Sequence, residues 1–190
     1  MAPMANRPRG RETLGDMVRS MALLVLPVLG VIALITVVPE DDENIDPVDW
    51  QPVLAQARAE APYPVLAPTA IPEGPGQWMA RHARWSPSSE HVPDDVGGNH
   101  WMVAFLDPNQ VYIALHQSDA PELPTVQKLT REGVRDGEQE IDGRTWEQRV
   151  SADDRTRSLV WHEDGVTTVV VGDTGYEQLT AFAGTLTTGD

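Results

Sequence analysis

The sequence predicts an α+β fold: a mostly antiparallel sheet packed with helices, carried behind one N-terminal transmembrane helix. Three observations lead there. An uncharged apolar run, MALLVLPVLGVIALITVV, extends for 18 residues from Met21 to Val38. Past it, three turn signals each separate a pair of strand-like segments: Asp107-Pro108-Asn109-Gln110, Asp142-Gly143 and Asp164-Gly165. The helical patterns stand between and after these hairpins instead of alternating with single strands, which favours α+β layers over a doubly wound parallel sheet.

At about 1.5 Å per residue the apolar run nearly crosses a hydrocarbon core of roughly 30 Å. Met17 and Val18 extend it, and Arg19 can snorkel to the headgroups. Pro27 and Gly30 are tolerated in a helix surrounded by lipid. Arg7, Arg9, Arg11 and Arg19 precede or enter the span, whereas Glu40, Asp41, Asp42, Glu43, Asp46 and Asp49 follow it. Basic residues stay on the cytoplasmic side, so the expectation is a single-pass cell-membrane protein with its N-terminus inside and its C-terminal domain extracytoplasmic. A cleaved signal peptide would carry an apolar region of about 7–15 residues ending in small residues. Here the run is longer and ends Thr36-Val37-Val38-Pro39. The chain has no Cys, which excludes a lipoprotein anchor.

The expected organisation is a cytoplasmic tail at 1–16, a transmembrane helix at 17–38, an acidic linker at 39–49 and one extracytoplasmic domain at 50–190. Without cysteine, that domain must draw its stability from a packed core and not from disulfides. All but two (Glu12 and Asp16) of the 29 Asp and Glu lie past the run, against ten of the 14 Lys and Arg. So acidic a face makes nucleic acid and anionic lipid poor partners. It serves solubility first. Asp41, Asp42, Glu43 and Asp46 lack the spacing and turn glycine of an EF-hand.

Along the domain, Trp50, Val53, Leu54 and Ala57 recur at helical spacing, and Ala61-Pro62 stops that helix. Pro62 to Pro68 reads as extended, since each proline biases its predecessor away from the α region. Trp78 to Trp85 is a first strand and His91 to Asn99 a polar loop. His100 to Leu106 and Val111 to Gln117 form a hairpin. In its first strand Trp101, Val103 and Phe105 share one face, and Met102, Ala104 and Leu106 the other, so both faces are expected to be covered. Asp119 is placed to cap a helix from Pro121 to Glu132 that carries Val126 and Leu129 on one side. Glu138 to Ile141 pairs with Arg144 to Val150, and Arg157 to Glu163 with Val166 to Gly172. Thr174 and Glu177 read as a capping box opening a last helix, with Leu179, Phe182, Ala183 and Leu186 as its apolar stripe.

The residues point weakly to chemistry. His82, His91, His100, His116 and His162 show no strong zinc spacing, although His91, Asp94, Asp95 and His100 lie close around one loop. There is no thiol, no G-x-S-x-G elbow and no S-x-x-K. Ser86, Ser88 and Ser89 before Glu90 and His91 are sequence neighbours, which does not make a triad. Catalytic, cofactor-binding and metal residues are therefore all assigned as none, and no cofactor is expected. Of the tryptophans, Trp101 and Trp161 fall in apolar strands and are expected in the core. Trp78 and Trp85 are the better exposed candidates for a sugar-stacking platform. Gly172 to Gly175 before the last helix is a poor anion site, because Asp173 and Glu177 flank it.

Taken together, Gly15-Asp16-Met17-Val18-Arg19-Ser20, the apolar run, Asp46-Pro47-Val48-Asp49-Trp50, Ala61-Pro62-Tyr63-Pro64-Val65, Asp142-Gly143-Arg144-Thr145-Trp146-Glu147 and Thr167-Thr168-Val169-Val170-Val171-Gly172 follow one another in order. This resembles a family of actinobacterial single-pass membrane proteins catalogued as a domain of unknown function. The likeness covers nearly the whole chain. Glu73-Gly74-Pro75-Gly76 departs from the family's tighter Pro-Glu-Gly-Trp turn. The resemblance implies an anchored extracytoplasmic domain and offers no catalytic residues to carry over. More loosely, the C-terminal hairpin and helix are similar to those of exported Mog1- or PsbP-like domains, an analogy of fold alone.

The expectation for function is a non-catalytic binding or assembly module of the cell envelope. Its partners would be the membrane and an envelope protein, with a glycan as the lesser choice and no nucleic acid. An envelope hydrolase with carboxylate or histidine chemistry is the alternative.

Overall fold

The computed structural model describes residues 47–69, 71–74, 76–90 and 95–189, together with Met21 and Val25. Met21 and Val25 are helical and exposed. The predicted tail, the span apart from Met21 and Val25, and most of the linker lie outside the described residues, as do His91 and Asp94. Among the described residues no helix is long and apolar enough to cross a membrane.

Residues Pro47–Asp190 form one compact unit. Helix α1 (Gln51–Glu60) opens it and stops at Ala61, whose extended backbone is what a following proline requires. The chain then runs through β1 (Ala67–Pro68), β2 (Met79–Ser86), β3 (His100–Leu106), β4 (Tyr112–Ser118), α2 (Glu122–Leu129), β5 (Val134–Ile141), β6 (Arg144–Val150), β7 (Arg157–Glu163), β8 (Val166–Gly172), α3 (Tyr176–Ala183) and β9 (Leu186–Thr187). Seven strands make one sheet in the order β2-β3-β4-β8-β7-β6-β5, and every neighbouring pair is antiparallel. The short β1 and β9 pair separately. The α+β class and the mostly antiparallel sheet with helices follow the sequence reading.

The turns set the register. Asp142 and Gly143 have φ of 50° and 76°, and Asp164 and Gly165 have 49° and 79°. Two consecutive left-handed residues are the tight hairpin turn that Asp-Gly favours. Between β3 and β4, Asp107 Oδ1 accepts the N–H of Asn109 and of Val111, each at 2.8 Å.

Alternation along the strands divides the sheet into two unlike faces. One carries Trp101, Val103, Phe105, Ile113, Leu115, Leu159 and Val170, all with no measurable exposure. Against it pack Trp50 at the N-cap of α1, Leu54 and Ala57 within α1, and Leu179, Phe182 and Ala183 of α3. Phe105 lies edge-on to Trp50 with ring centroids 5.5 Å apart, and Trp78 reaches Phe182 at 5.5 Å. The opposite face is covered in part by α2, through Val126 against Val160 and Val169.

Several expectations are corrected. Strand β3 is covered completely on one face only: Met102 and Leu106 are half-buried, since one short helix does not cover the second face. Asp119 does not cap α2. Its carboxylate takes the N–H and the side-chain amide of Asn99, both at 2.7 Å, and Pro121 holds the capping position without a side-chain bond. The Thr174–Glu177 capping box does not form, because the N-cap residue of α3 is Gly175. Leu186 is buried as expected, but in β9 and not on the helix. Trp85 is buried and donates to Glu60 at 2.7 Å, and Trp78 packs against the core, so neither offers an open platform.

Candidate functional site

The partly covered face carries a different kind of residue. In the β2–β3–β4 register Arg84 stands opposite Met102, and Met102 opposite His116. Ser86 stands opposite His100, and His100 opposite Ser118. His82, Arg84, His100 and His116 therefore share one face of three adjacent strands. Asp95 joins them from the loop before β3. Gly98 makes that loop's close approach possible: its φ is +67°, and a Cβ there would sit 2.5 Å from Asp119 Oδ1.

Asp95 is the organising carboxylate. It bonds His100 Nδ1 on one oxygen and meets the Arg84 guanidinium at 3.1 Å on the other. Its backbone carbonyl accepts from Lys128 Nζ at 2.8 Å, tying α2 to the loop. The other ring nitrogen of His100, Nε2, lies 3.1 Å from His116 Nδ1, and the two imidazoles are nearly parallel with centroids 5.3 Å apart. A carboxylate accepts only, so His100 donates from Nδ1 and accepts at Nε2. His116 then donates from Nδ1, which makes its Nε2 the acceptor nitrogen at the end of the chain.

Burial pulls both imidazoles toward the neutral form. His100 lies below its ordinary pKa through desolvation, with Asp95 opposing the shift. His116 falls to about 3, through desolvation first and then the charge of His100. For Asp95 burial acts upward, but His100, the Val96 N–H and Arg84 together hold the carboxyl below its usual range. The arrangement at neutral pH is one carboxylate, two neutral imidazoles and two cations. Both nitrogens of His100 are engaged, and among the described residues no group of three or more His, Asp and Glu is placed to hold a metal ion.

Beside this cluster a groove of about 720 Å³ opens between the C-terminal end of α2 and strands β3, β4 and β8. Met102, Ala114, His116 and Val171 line it from the sheet, Val111 and Tyr112 from the start of β4, and Leu129 from α2. Lys128, Arg131, Thr156 and Asp173 supply its charged and polar rim. Asp173 is held there by Thr156 Oγ1 at 2.5 Å, Arg131 at 3.7 Å and Arg155 at 3.8 Å. A smaller pocket of about 240 Å³ lies on the other side of the sheet, lined by Tyr63, Gln117, Arg144, Trp161 and Thr168 among others. There the Arg144 guanidinium lies over the Trp161 ring, 4.6 Å from its centroid, and Trp146 packs 5.9 Å away. Trp101 has no exposure, which removes it from any sugar platform.

Of the loop residues singled out from sequence, the structure joins Asp95 to His100. Ser86 is buried in β2, and the Ser88 N–H is bonded to Asn99. His162 meets Thr167 at 3.0 Å, away from the cluster. Arg84, Lys128 and Arg131 were not singled out from the sequence, and His116 was named among the strand histidines but not joined to His100. A signal for His116 was present. The Asp107 turn fixes the pairing of His100–Leu106 with Tyr112–Ser118, and that pairing places His116 diagonally across from His100.

The described domain is thus an antiparallel α+β domain with a ligand-sized groove beside a partly buried Asp–His–His chain on one sheet face. The chain belongs to the family described as Protein of unknown function (DUF4245), whose model matches residues 9–186. No curated protein and no solved structure matches it.

Proposed function

We propose that this is a single-pass membrane protein of an actinobacterial envelope, whose extracytoplasmic domain is a non-catalytic binding or assembly module that takes its ligand in the groove beside α2. The groove is the observation that carries the reading. Its volume of about 720 Å³ falls in the range of sites for small ligands, and its walls are mostly apolar with a few polar groups at the rim. The uncharged run and the change from basic to acidic flanks support the anchor and its orientation, and the family match spans that run. A protein neighbour in the envelope belongs to the same reading.

The test is native mass spectrometry of the full chain released from nanodiscs made directly from its source membrane. The wild type should carry a bound small molecule that Met102→Trp, which fills the groove, does not carry. Equal ligand content in the two proteins, or none in either, would count against the groove as the binding site.

The Asp95–His100–His116 chain favours one second reading, a hydrolase with histidine as general base. A carboxylate orienting an imidazole is the geometry such a base requires. The low pKa of His116 weighs against it, since a general base works best when its pKa lies near the operating pH.

A further inference from the structure

We infer that the groove's occupant is an amphipathic anion, one acidic head group on an apolar body. The inference rests on the groove being the binding site, and it goes further by naming what the site selects.

Charge distribution is the first argument. The chain has a net charge of −15 and 14 Lys and Arg against 29 Asp and Glu. Yet the groove is lined by two cations, Lys128 and Arg131, and one carboxylate, Asp173. That carboxylate is already shared between Arg131 and Arg155. In the cluster next to the groove Arg84 balances Asp95, so groove and cluster together hold Arg84, Lys128 and Arg131 against Asp95 and Asp173. Both imidazoles are neutral there, so the local balance is positive on a strongly negative molecule. A site of this sign attracts anions and gives no advantage to cations.

Lining chemistry is the second argument. Met102, Val111, Ala114, Leu129 and Val171 give the groove an apolar interior, and exposed Tyr112 adds an aromatic wall. A small hydrophilic anion such as inorganic phosphate would leave that interior wet. An alkyl chain removes it from water at roughly 25 cal/mol per Å². Lys128 and Arg131 sit at the last turn of α2 and just beyond it, with exposed side chains that reach the rim. The head group therefore lies at the α2 end and the apolar body along β3 and β4. Carboxylate and phosphate heads share this chemistry, so a free fatty acid and a lipid phosphate are both admitted.

The test uses the full chain in phosphatidylcholine nanodiscs with [¹³C-methyl]methionine. Met102 reports on the groove, and Met79, which does not line it, is the internal control. Octanoate, octyl phosphate, octanol and octylammonium are titrated separately. Octanoate and octyl phosphate should move the Met102 methyl saturably and leave Met79 in place, and whichever binds tighter identifies the head group. Octanol and octylammonium should bind at least about tenfold more weakly. K128Q/R131Q should weaken the two anions by a similar factor and leave octanol unchanged. Equal binding of octanol or octylammonium, or anion binding untouched in K128Q/R131Q, would overturn the anion selectivity while leaving a groove that binds. If no probe moves Met102 at any concentration, the groove itself is not the site and both readings fall.

Discussion

The two faces of one sheet differ in almost every property. The face under α1 and α3 is mostly closed and aromatic, with Trp101, Phe105, Ile113 and Leu115 fully buried and a small pocket at Gln117 and Trp161. The face under α2 is half open and mixes small apolar residues with His82, Arg84, His100 and His116. Period-two alternation puts them on neighbouring residues of the same strand, Trp101 beside Met102 and Leu115 beside His116. On the proposed reading, the difference separates the face that stabilises the domain from the face that recognises its ligand. A closed apolar layer supplies the hydrophobic term, while buried ion pairs and imidazoles contribute little net stability and are costly to break. A groove retained next to such groups points to binding on that face.

This contrast can be broken by substitution. The largest effect is expected at Trp101→Ala, which removes a fully buried side chain and should cost about 3–5 kcal/mol in a guanidinium titration. Its half-buried neighbour Met102→Ala should cost clearly less, about 1–2 kcal/mol, because less area returns to water. Equal costs would mean that the second face is as much a core as the first.

Asp95→Asn should come next. The substitution leaves His100 and Arg84 without their carboxylate and should lower stability by about 1–3 kcal/mol in the same titration. Gly98→Ala should act on the same loop, since a side chain at φ +67° would also collide with Asp119 and Ala120. It should loosen Asp95 and weaken its bond to Lys128.

The pH dependence is smaller and has a definite sign. An imidazole whose folded pKa lies below its unfolded value contributes stability that is complete above the unfolded value and is lost as pH falls toward the folded one. For His116 the window runs from 6.5 down to about 3, and His100 shifts in the same direction. The unfolding midpoint should therefore fall steadily from pH 6.5 to pH 4. In His116→Gln that slope should be shallower. An unchanged slope would place the acid sensitivity elsewhere.

Local patterns made most of the closed face legible. The stripe of Trp50, Leu54 and Ala57, the alternation through Trp101 and Phe105, and two Asp-Gly turns are signals carried within a few residues. The groove was not legible in the same way. It depends on where α2 crosses the sheet, which leaves Met102 and His116 only half-buried, and no sequence period records that crossing. The polar cluster required three strands and a loop to meet, and only the His100–His116 diagonal was set by a local turn. Capping was misread at Asp119, where a competing partner won, and at Thr174, where the helix starts one residue later. Asn99 claimed Asp119 through two hydrogen bonds, and Gly175 took the position that Thr174 was expected to prepare.

The division of labour between the faces is tested most directly by measuring stability and octyl phosphate affinity on one variant, K128Q/R131Q. Both side chains are exposed and their bonds to Asp95 O, Thr156 and Asp173 are screened by solvent, so the unfolding free energy should fall by less than about 1 kcal/mol. Octyl phosphate affinity, read at the Met102 methyl, should fall about tenfold. Unchanged affinity, or a loss of stability as large as the loss of binding, would contradict the account.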